Sequence, residues 1–346
     1  MEEEEIIVLV KLDKTTYTKV EDLIRRGSYG SIGSFVEIAV RNQLLLETGG
    51  DLETLKRRSV RKPAKAKRPL PSTILSIPKK NFAQTVMTQS IDDSIKHASI
   101  WGQINRLAPA KFVLRALLNS LSSIGEKNVD LKLFSAEVAE QATAFRRFAK
   151  RKDKKRRVRG EEIYVGFPKK SPASQQRFLN YYVGKKALRK WTDSVLTGLC
   201  LANIEEMEDG ATVIGITEEG LKLALLHSPL VDDFFLDEKQ IDNPLSDDEV
   251  HFLIEHIKVT RPGEHEFLLF VLDSIKRGAN NPTELQGRVF DFLRGKDLKI
   301  TLSEKVANTM QVGAIGRLVE MRLLKIEKEA QRSRYVVTGK GERTIE

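Results

Sequence analysis

Two stretches decide how this chain is organised: residues 203–223, NIEEMEDGATVIGITEEGLKL, and residues 325–345, KIEKEAQRSRYVVTGKGERTI. Each reads as a short β-hairpin running straight into a helix. In the first, two strand-like flanks enclose a turn at Asp209-Gly210, and Thr217 opens Thr217-Glu218-Glu219-Gly220-Leu221 as a helix cap. In the second, strands over 325–328 and 335–338 flank a tip that carries Gln331, Arg332 and Arg334, and Gly339-Lys340-Gly341-Glu342 closes the unit. The two align at an offset of about 121 residues, the mark of a divergent duplication of one supersecondary unit.

Helical patterns precede both hairpins. Residues 267–275, 283–293 and 303–324 predict three helices, the first two ending near Gly278 and Gly295. Before the earlier hairpin, helices are expected over 110–121, 133–148 and 174 to about 199. A strand-like run, Ile163-Tyr164-Val165-Gly166-Phe167, separates the second from the helices expected between 174 and about 199. Three helices followed by a two-stranded hairpin ending in Thr-x-x-Gly resemble the winged helix-turn-helix family, over 264–346 and again over 110–226. The resemblance implies that the third helix enters the DNA major groove while the hairpin, the wing, touches phosphate or the minor groove. It would make Lys305, Asn308, Thr309 and Gln311 groove-facing, put Val306, Met310, Ala314 and Leu318 on the core side, and set Arg332 and Arg334 on the wing. Paired winged helices in one chain also resemble plasmid replication initiators.

The N-terminus has a different pattern. Residues 6–12, IIVLVKL, are β-branched and apolar enough for a strand. Asp13 offers a cap for a helix over 14–26, which Gly27 ends. Tyr17, Val20, Leu23 and Ile24 recur in it at helical spacing, and a second amphipathic run, Phe35, Ile38, Ala39, Asn42 and Leu45, follows a turn capped by Ser31. One strand and two short helices cannot close a core, so this unit should dimerise. The stretch 9–45, LVKLDKTTYTKVEDLIRRGSYGSIGSFVEIAVRNQLL, resembles the MetJ/Arc-type ribbon-helix-helix DNA-binding domain, in which two chains pair strands and lay the ribbon in the major groove. By that resemblance Ile7, Leu9 and Lys11 face DNA while Val8, Val10 and Leu12 enter the dimer core. The turn Ser31, Ile32 and Gly33 would set helix N-terminal amides against a phosphate. The other reading is a pure dimerisation module, its Ile7 and Leu9 forming an apolar patch for another protein.

Charge is distributed unevenly. The chain carries +10 overall, but +9 over 56–100 and +14 over 101–200, against −5 over 1–55, −11 over 201–300 and +3 over 301–346. Two runs hold most of the excess: KRRSVRKPAKAKR at 56–68, interrupted by alanine and proline and so linker-like, and RRFAKRKDKKRRVR at 146–159. Runs with so few counter-charges point to a polyanion. Candidate contacts are Arg146, Arg147, Lys150, Arg151, Lys152, Lys154, Lys155, Arg156, Arg157 and Arg159, together with Lys185, Lys186, Arg189 and Lys190.

Other classes find little support. The single cysteine, Cys200, sits in an apolar run and reads as a buried small hydrophobe, which excludes a disulfide scaffold. No phosphate-binding glycine loop, paired-cysteine motif, nucleophile elbow or zincin motif occurs, so neither enzyme nor cofactor is expected. His251 and His256 are five residues apart, which does not place them on one helix face, and no cysteine lies near them or His265, so no metal site is expected. No stretch approaches the ~20 apolar residues of a membrane span.

The expectation is a mainly α protein with small β elements, built as a ribbon-helix-helix plus two winged-helix domains: 1–50 for dimerisation and DNA binding, 51–107 a basic linker and low-information segment, 108–230 a first winged helix with a basic insertion, 231–263 an acidic linker, and 264–346 a second winged helix. The function expected is that of a cytoplasmic, nucleoid-associated homodimer that binds double-stranded DNA, in transcription regulation or in plasmid or chromosome replication or partition. The alternative is a non-enzymatic adaptor of a larger nucleoprotein complex, which holds RNA or single-stranded DNA and docks a protein partner at the acidic 201–300 region.

Overall fold

A computed structural model describes residues 13–25, 32, 36, 75, 101–102, 104–153, 162–187, 190–192, 194–296, 301–329 and 332–345. In chain order its elements are α1 (Lys14–Arg25), α2 (Ala108–Ile124), β1 (Val129–Asp130), α3 (Leu131–Lys152), α4 (Pro172–Tyr182), β2 (Lys185–Ala187), β3 (Lys190–Thr192), α5 (Val195–Gly198), β4 (Ala202–Glu206), β5 (Thr212–Ile216) and α6 (Glu218–Leu225). A π-helix (Pro229–Leu236) follows, then α7 (Asp247–Thr260), α8 (Pro262–Lys276), α9 (Pro282–Arg294), α10 (Glu304–Glu320), β6 (Leu324–Glu329), β7 (Arg332–Val337) and α11 (Gly339–Ile345). Helices dominate, and the described sheets are small and antiparallel.

Met1–Arg68 and Pro69–Glu346 are separate units. In the first, Asp13 O accepts from Tyr17 N at 2.9 Å at the start of α1, whose Val20 is buried and Tyr17 exposed. The strand expected at 6–12, the helix expected after Gly33 and the basic run at 56–68 lie outside the described residues.

In the second unit the hairpin-and-helix motif occurs twice and is built the same way each time. Thr217 N donates to Leu201 O at 3.1 Å, and Thr338 N to Leu323 O at 3.1 Å. The Thr217 hydroxyl donates to Cys200 O (2.7 Å) and accepts from Gly220 N (3.0 Å). The Thr338 hydroxyl does the same with Arg322 O (2.7 Å) and Gly341 N (3.1 Å). One side chain thus caps the following helix and ties it to the strand start, worth about 1 kcal/mol as a cap. Cys200 and Arg322 both adopt positive φ, 53° and 61°. The glycine of Thr-x-x-Gly is a packing requirement, since a Cβ at Gly220 would overlap Leu201 O and one at Gly341 would overlap Leu323 O.

The correspondence extends through the preceding helices. In the first copy, α2 leads to β1, which pairs antiparallel with β5 (Val129 opposite Ile214), and Asp130 caps α3 by accepting from Leu133 N at 2.8 Å. In the second, α8 leads to Asn280, whose carbonyl accepts from Tyr335 N in β7 at 2.7 Å, and Asn281 caps α9 through Glu284 N at 3.0 Å. Both copies therefore run helix, edge contact to the hairpin, capped helix, third helix, hairpin and short helix.

Several expectations need correction. Residues 163–167 form turns and no strand, because Phe167 is drawn into an aromatic core with Phe112, Phe145 and Phe178 and Ile163 is buried too. The region from 174 to 199 is no continuous helical stretch: α4 ends at Tyr182, an antiparallel strand pair follows, and α5 resumes at Val195.

The acid-rich 231–263 is folded and is no linker. Phe234 and Phe235 of the π-helix pack edge-on against Phe148 at 5.5 and 5.3 Å. Two of the acids in this region are counter-ions for α2: Arg115 pairs with Asp232 at 3.0 Å and Lys111 with the buried Glu249 at 3.2 Å. These cations, one helical turn apart, also donate to the carbonyls that end α6: Lys111 Nζ to Leu223 O and Leu226 O, Arg115 Nε to Ala224 O at 2.9 Å. A cation at a helix C-terminus satisfies orphan carbonyls and the dipole together. Burial lowers the Lys111 ammonium to about 8 and raises the Glu249 carboxyl.

The described residues just before α2, 101, 102 and 104–107, are equally integral. Trp101, Ile104 and Leu107 are buried, and Gly102 and Asn105 cross α10 at Gly313 and Gly316, which leave no side chain in the way. Arg317 and Glu264 form a fully buried pair at 2.6 Å, and Trp101 N donates to Glu264 at 2.9 Å. Glu320 accepts from Leu107 N and from Ala108 N, so a carboxylate from the second copy caps the first helix of the first. One continuous apolar core runs through both copies.

Candidate nucleic-acid interface

The third helix of each copy is half covered and half open. On α10, Ala307, Met310, Ala314 and Leu318 face the core, and Gly313, Gly316, Arg317 and Glu320 are covered by Trp101, Gly102, Ile104, Asn105 and Leu107. What remains accessible, besides Glu304 at its first position, is a stripe in its N-terminal half, Lys305, Asn308 and Val312, at three- and four-residue spacing. Thr309 is half-buried and its hydroxyl donates back to Lys305 O at 2.8 Å. Gln311 is buried and corrects the sequence-based assignment: its amide donates to Pro282 O at 3.0 Å, holding the start of α9.

The corresponding helix of the first copy, α4, begins at Pro172, a residue suited to the first helical position, just after Ser171. Its Phe178 and Tyr182 are buried, the Tyr182 hydroxyl donating to Arg106 O at 3.1 Å. Its accessible stripe is Ala173, Gln176 and Arg177, with Asn180 half-buried and accepting from Gln176 at 2.9 Å. Lys169 and Lys170 are exposed immediately before it. Sequence reasoning misses Gln176, Arg177, Asn180, Lys169 and Lys170. The Ser171-Pro172 start signal could have found them, by fixing where the third helix begins and hence which residues fill its first two turns.

The basic run of α3 divides. Arg146 points inward, donating to Tyr164 O (2.8 Å) and Phe167 O (2.9 Å) and lying over the Tyr164 ring at 4.8 Å, so its role is to hold the 163–167 turn. Arg147, Lys150 and Arg151 are exposed. Lys152 is bonded to Glu238. Lys154, Lys155, Arg156, Arg157 and Arg159 lie outside the described residues, as do Arg189 and, in the N-terminal unit, Ile7, Leu9, Lys11, Ser31 and Gly33. Lys185, Lys186 and Lys190 lie on the strand pair β2–β3 rather than on a helix. On the second hairpin Arg332 opens β7, and Arg334, Lys325 and Lys328 are exposed.

Chemically, the α4 stripe offers the side chains that hydrogen-bond base edges: an arginine that can bind guanine with two hydrogen bonds, and carboxamides that can do so with adenine. On α10, Asn308 adds a further carboxamide, and Val312 an apolar contact of the kind a thymine methyl accepts. Among the described residues no group of three His, Cys, Asp or Glu side chains could hold a metal ion. The His256 ring is bonded to Leu199 O and stacks on Phe252 at 5.2 Å. No described helix is long and apolar enough to cross a membrane. Compared with known proteins, the chain matches no family model, no curated protein and no solved structure.

Proposed function

We propose that this protein binds double-stranded DNA through two winged-helix modules, the N-terminal halves of α4 and α10 entering the major groove, and acts in transcription regulation or in replication or partition of a plasmid or chromosome. The observation that carries the reading is the repeated order of helix, edge contact, capped helix, half-open third helix and hairpin. In both copies the open half of the third helix bears side chains suited to base edges, Gln176 and Arg177 in one, Lys305 and Asn308 in the other. Arg147, Lys150, Arg151, Lys169 and Lys170 add exposed positive charge for phosphates around the first of them. Residues 1–50, with their resemblance to a ribbon-helix-helix, supply dimerisation and a further contact, so several modest contacts combine through effective concentration.

The test is selection of random duplexes by the intact chain at near-physiological salt. Enrichment of a discrete site, arranged as an inverted repeat if the chain is dimeric, is the expected result. Recovery of unenriched sequence, with binding that depends only on salt, would refute it and favour the adaptor of a nucleoprotein complex.

A further inference from the structure

The two copies differ where a winged helix would be expected to hold phosphate. In the second copy the hairpin β6–β7 exposes Lys325, Lys328 and Arg334. Counting from the shared anchors Leu201/Leu323 and Thr217/Thr338, the same places on β4–β5 hold Asn203, Glu206 and Val213. The tip of β4–β5 adds Glu205, Glu208 and Asp209, all exposed, with no basic residue among 203–213. Carboxylates so placed would meet a phosphate backbone with repulsion.

The first copy also has an insertion that the second lacks. In the second, α10 is one uninterrupted helix that closes on Leu323 N donating to Leu318 O at 2.9 Å. In the first, the equivalent closing bond, Leu201 N to Leu196 O at 2.8 Å, belongs to α5, and the chain between α4 and α5 leaves as β2–β3. The break is sealed: Ser194 Oγ donates to Val183 O at 3.1 Å in a buried bond, so the chain resumes where it left. The strand pair is in register, Lys185 opposite Thr192, Lys186 opposite Trp191 and Ala187 opposite Lys190. Residues 184–192 contain no acid.

We infer that in the first module the inserted arm β2–β3, through Lys185, Lys186 and Lys190, grips the phosphate backbone of the duplex entered by α4, and that the acidic hairpin β4–β5 stays off the nucleic acid. The inference rests on the functional reading above and assigns its parts. Arg177 precedes Val183 by six residues, about 9 Å of helix, so the arm springs from the helix within one or two phosphate spacings of the base-reading stripe.

The test uses the full chain and a duplex from the selection, titrated by fluorescence anisotropy from about 50 to 300 mM KCl. Lys185→Gln/Lys186→Gln/Lys190→Gln should weaken binding and make the slope of log K against log salt shallower by about 2–3. Lys185→Arg/Lys186→Arg/Lys190→Arg should keep the slope of the parent. Glu205→Gln/Glu206→Gln/Glu208→Gln should leave affinity and slope unchanged. An unchanged slope in the lysine-to-glutamine variant, or a gain of about tenfold or more in the hairpin variant, overturns this division of labour and leaves the DNA-binding reading standing. A parent chain that binds no duplex overturns both.

Discussion

Arg317 and Glu264, each fully buried, meet at 2.6 Å beneath Trp101. The guanidinium also donates to Trp101 O at 3.1 Å and to Ile104 O, and Arg261 lies over the Trp101 ring at 4.7 Å while its Nε donates to Gly198 O at 2.7 Å. This polar knot fixes Trp101 and Ile104 against α10 and joins the second copy to α5 of the first. Removing one member of such a pair leaves an uncompensated buried charge. Arg317→Met should therefore lose about 3–5 kcal/mol in urea unfolding, whereas Arg317→Met/Glu264→Leu should recover much of it. A single variant within about 1 kcal/mol of the parent would contradict the assignment.

The Thr-x-x-Gly unit predicts matched effects at two distant sites. Gly220→Ala and Gly341→Ala each force a Cβ onto a carbonyl oxygen and should each cost about 2 kcal/mol or more. Thr217→Val and Thr338→Val should each cost about 1 kcal/mol through the missing cap. Chemical denaturation of the four variants checks this; a neutral Gly341→Ala would break the equivalence of the two copies.

His256 supplies a pH dependence. Its ring is largely buried, and burial holds its pKa below the ordinary 6.5. In the window below 6.5 the unfolded chain binds the proton that the folded chain refuses, so this contribution to stability is present at neutral pH and declines as pH falls. The stability advantage of the parent over His256→Gln should shrink between about pH 7.5 and 5. A constant difference across that range would show that the ring does not titrate as its burial requires.

Much of the order of elements is legible in the sequence, and the failures share a cause. The duplicated hairpins can be read because turn residues, caps and alternation all act within a few residues of each other. The 231–263 region looks like a linker because acids are normally solvated, and nothing local reveals that Asp232 and Glu249 answer Arg115 and Lys111 more than a hundred residues earlier. Gln311 looks groove-facing because α10 has small residues on several sides, and only the packing of α9, whose Pro282 O takes the Gln311 amide, decides that this side is covered. The α4 stripe escapes a reading of the sequence because the inserted arm hides where the third helix ends.

Binding and stability should separate along the same lines. Gln176→Ala/Arg177→Ala should leave urea unfolding unchanged within about 0.5 kcal/mol. The same pair should weaken binding to a selected duplex by about 1–3 kcal/mol for each base pair that is no longer read. Gln311→Ala should do the reverse, lowering stability by removing the bond to Pro282 O, with little change in the intrinsic affinity of folded protein. Equal binding losses from both variants would place Gln311 at the interface after all.

If the open halves of α4 and α10 lie in DNA grooves, a cleavage reagent tethered to either must cut the duplex beside it. The native Cys200 is buried, so an iron chelate can be attached selectively to Ala173→Cys, Asn308→Cys or, as a control on the exposed face of α7, Val259→Cys. With a selected duplex bound, the chelate at 173 and at 308 should each cut at a discrete position, the two positions separated along the same duplex, and the chelate at 259 should not. Cleavage from 173 and 308 no stronger than from 259, with the protein still bound, would contradict the placement of both helices on DNA.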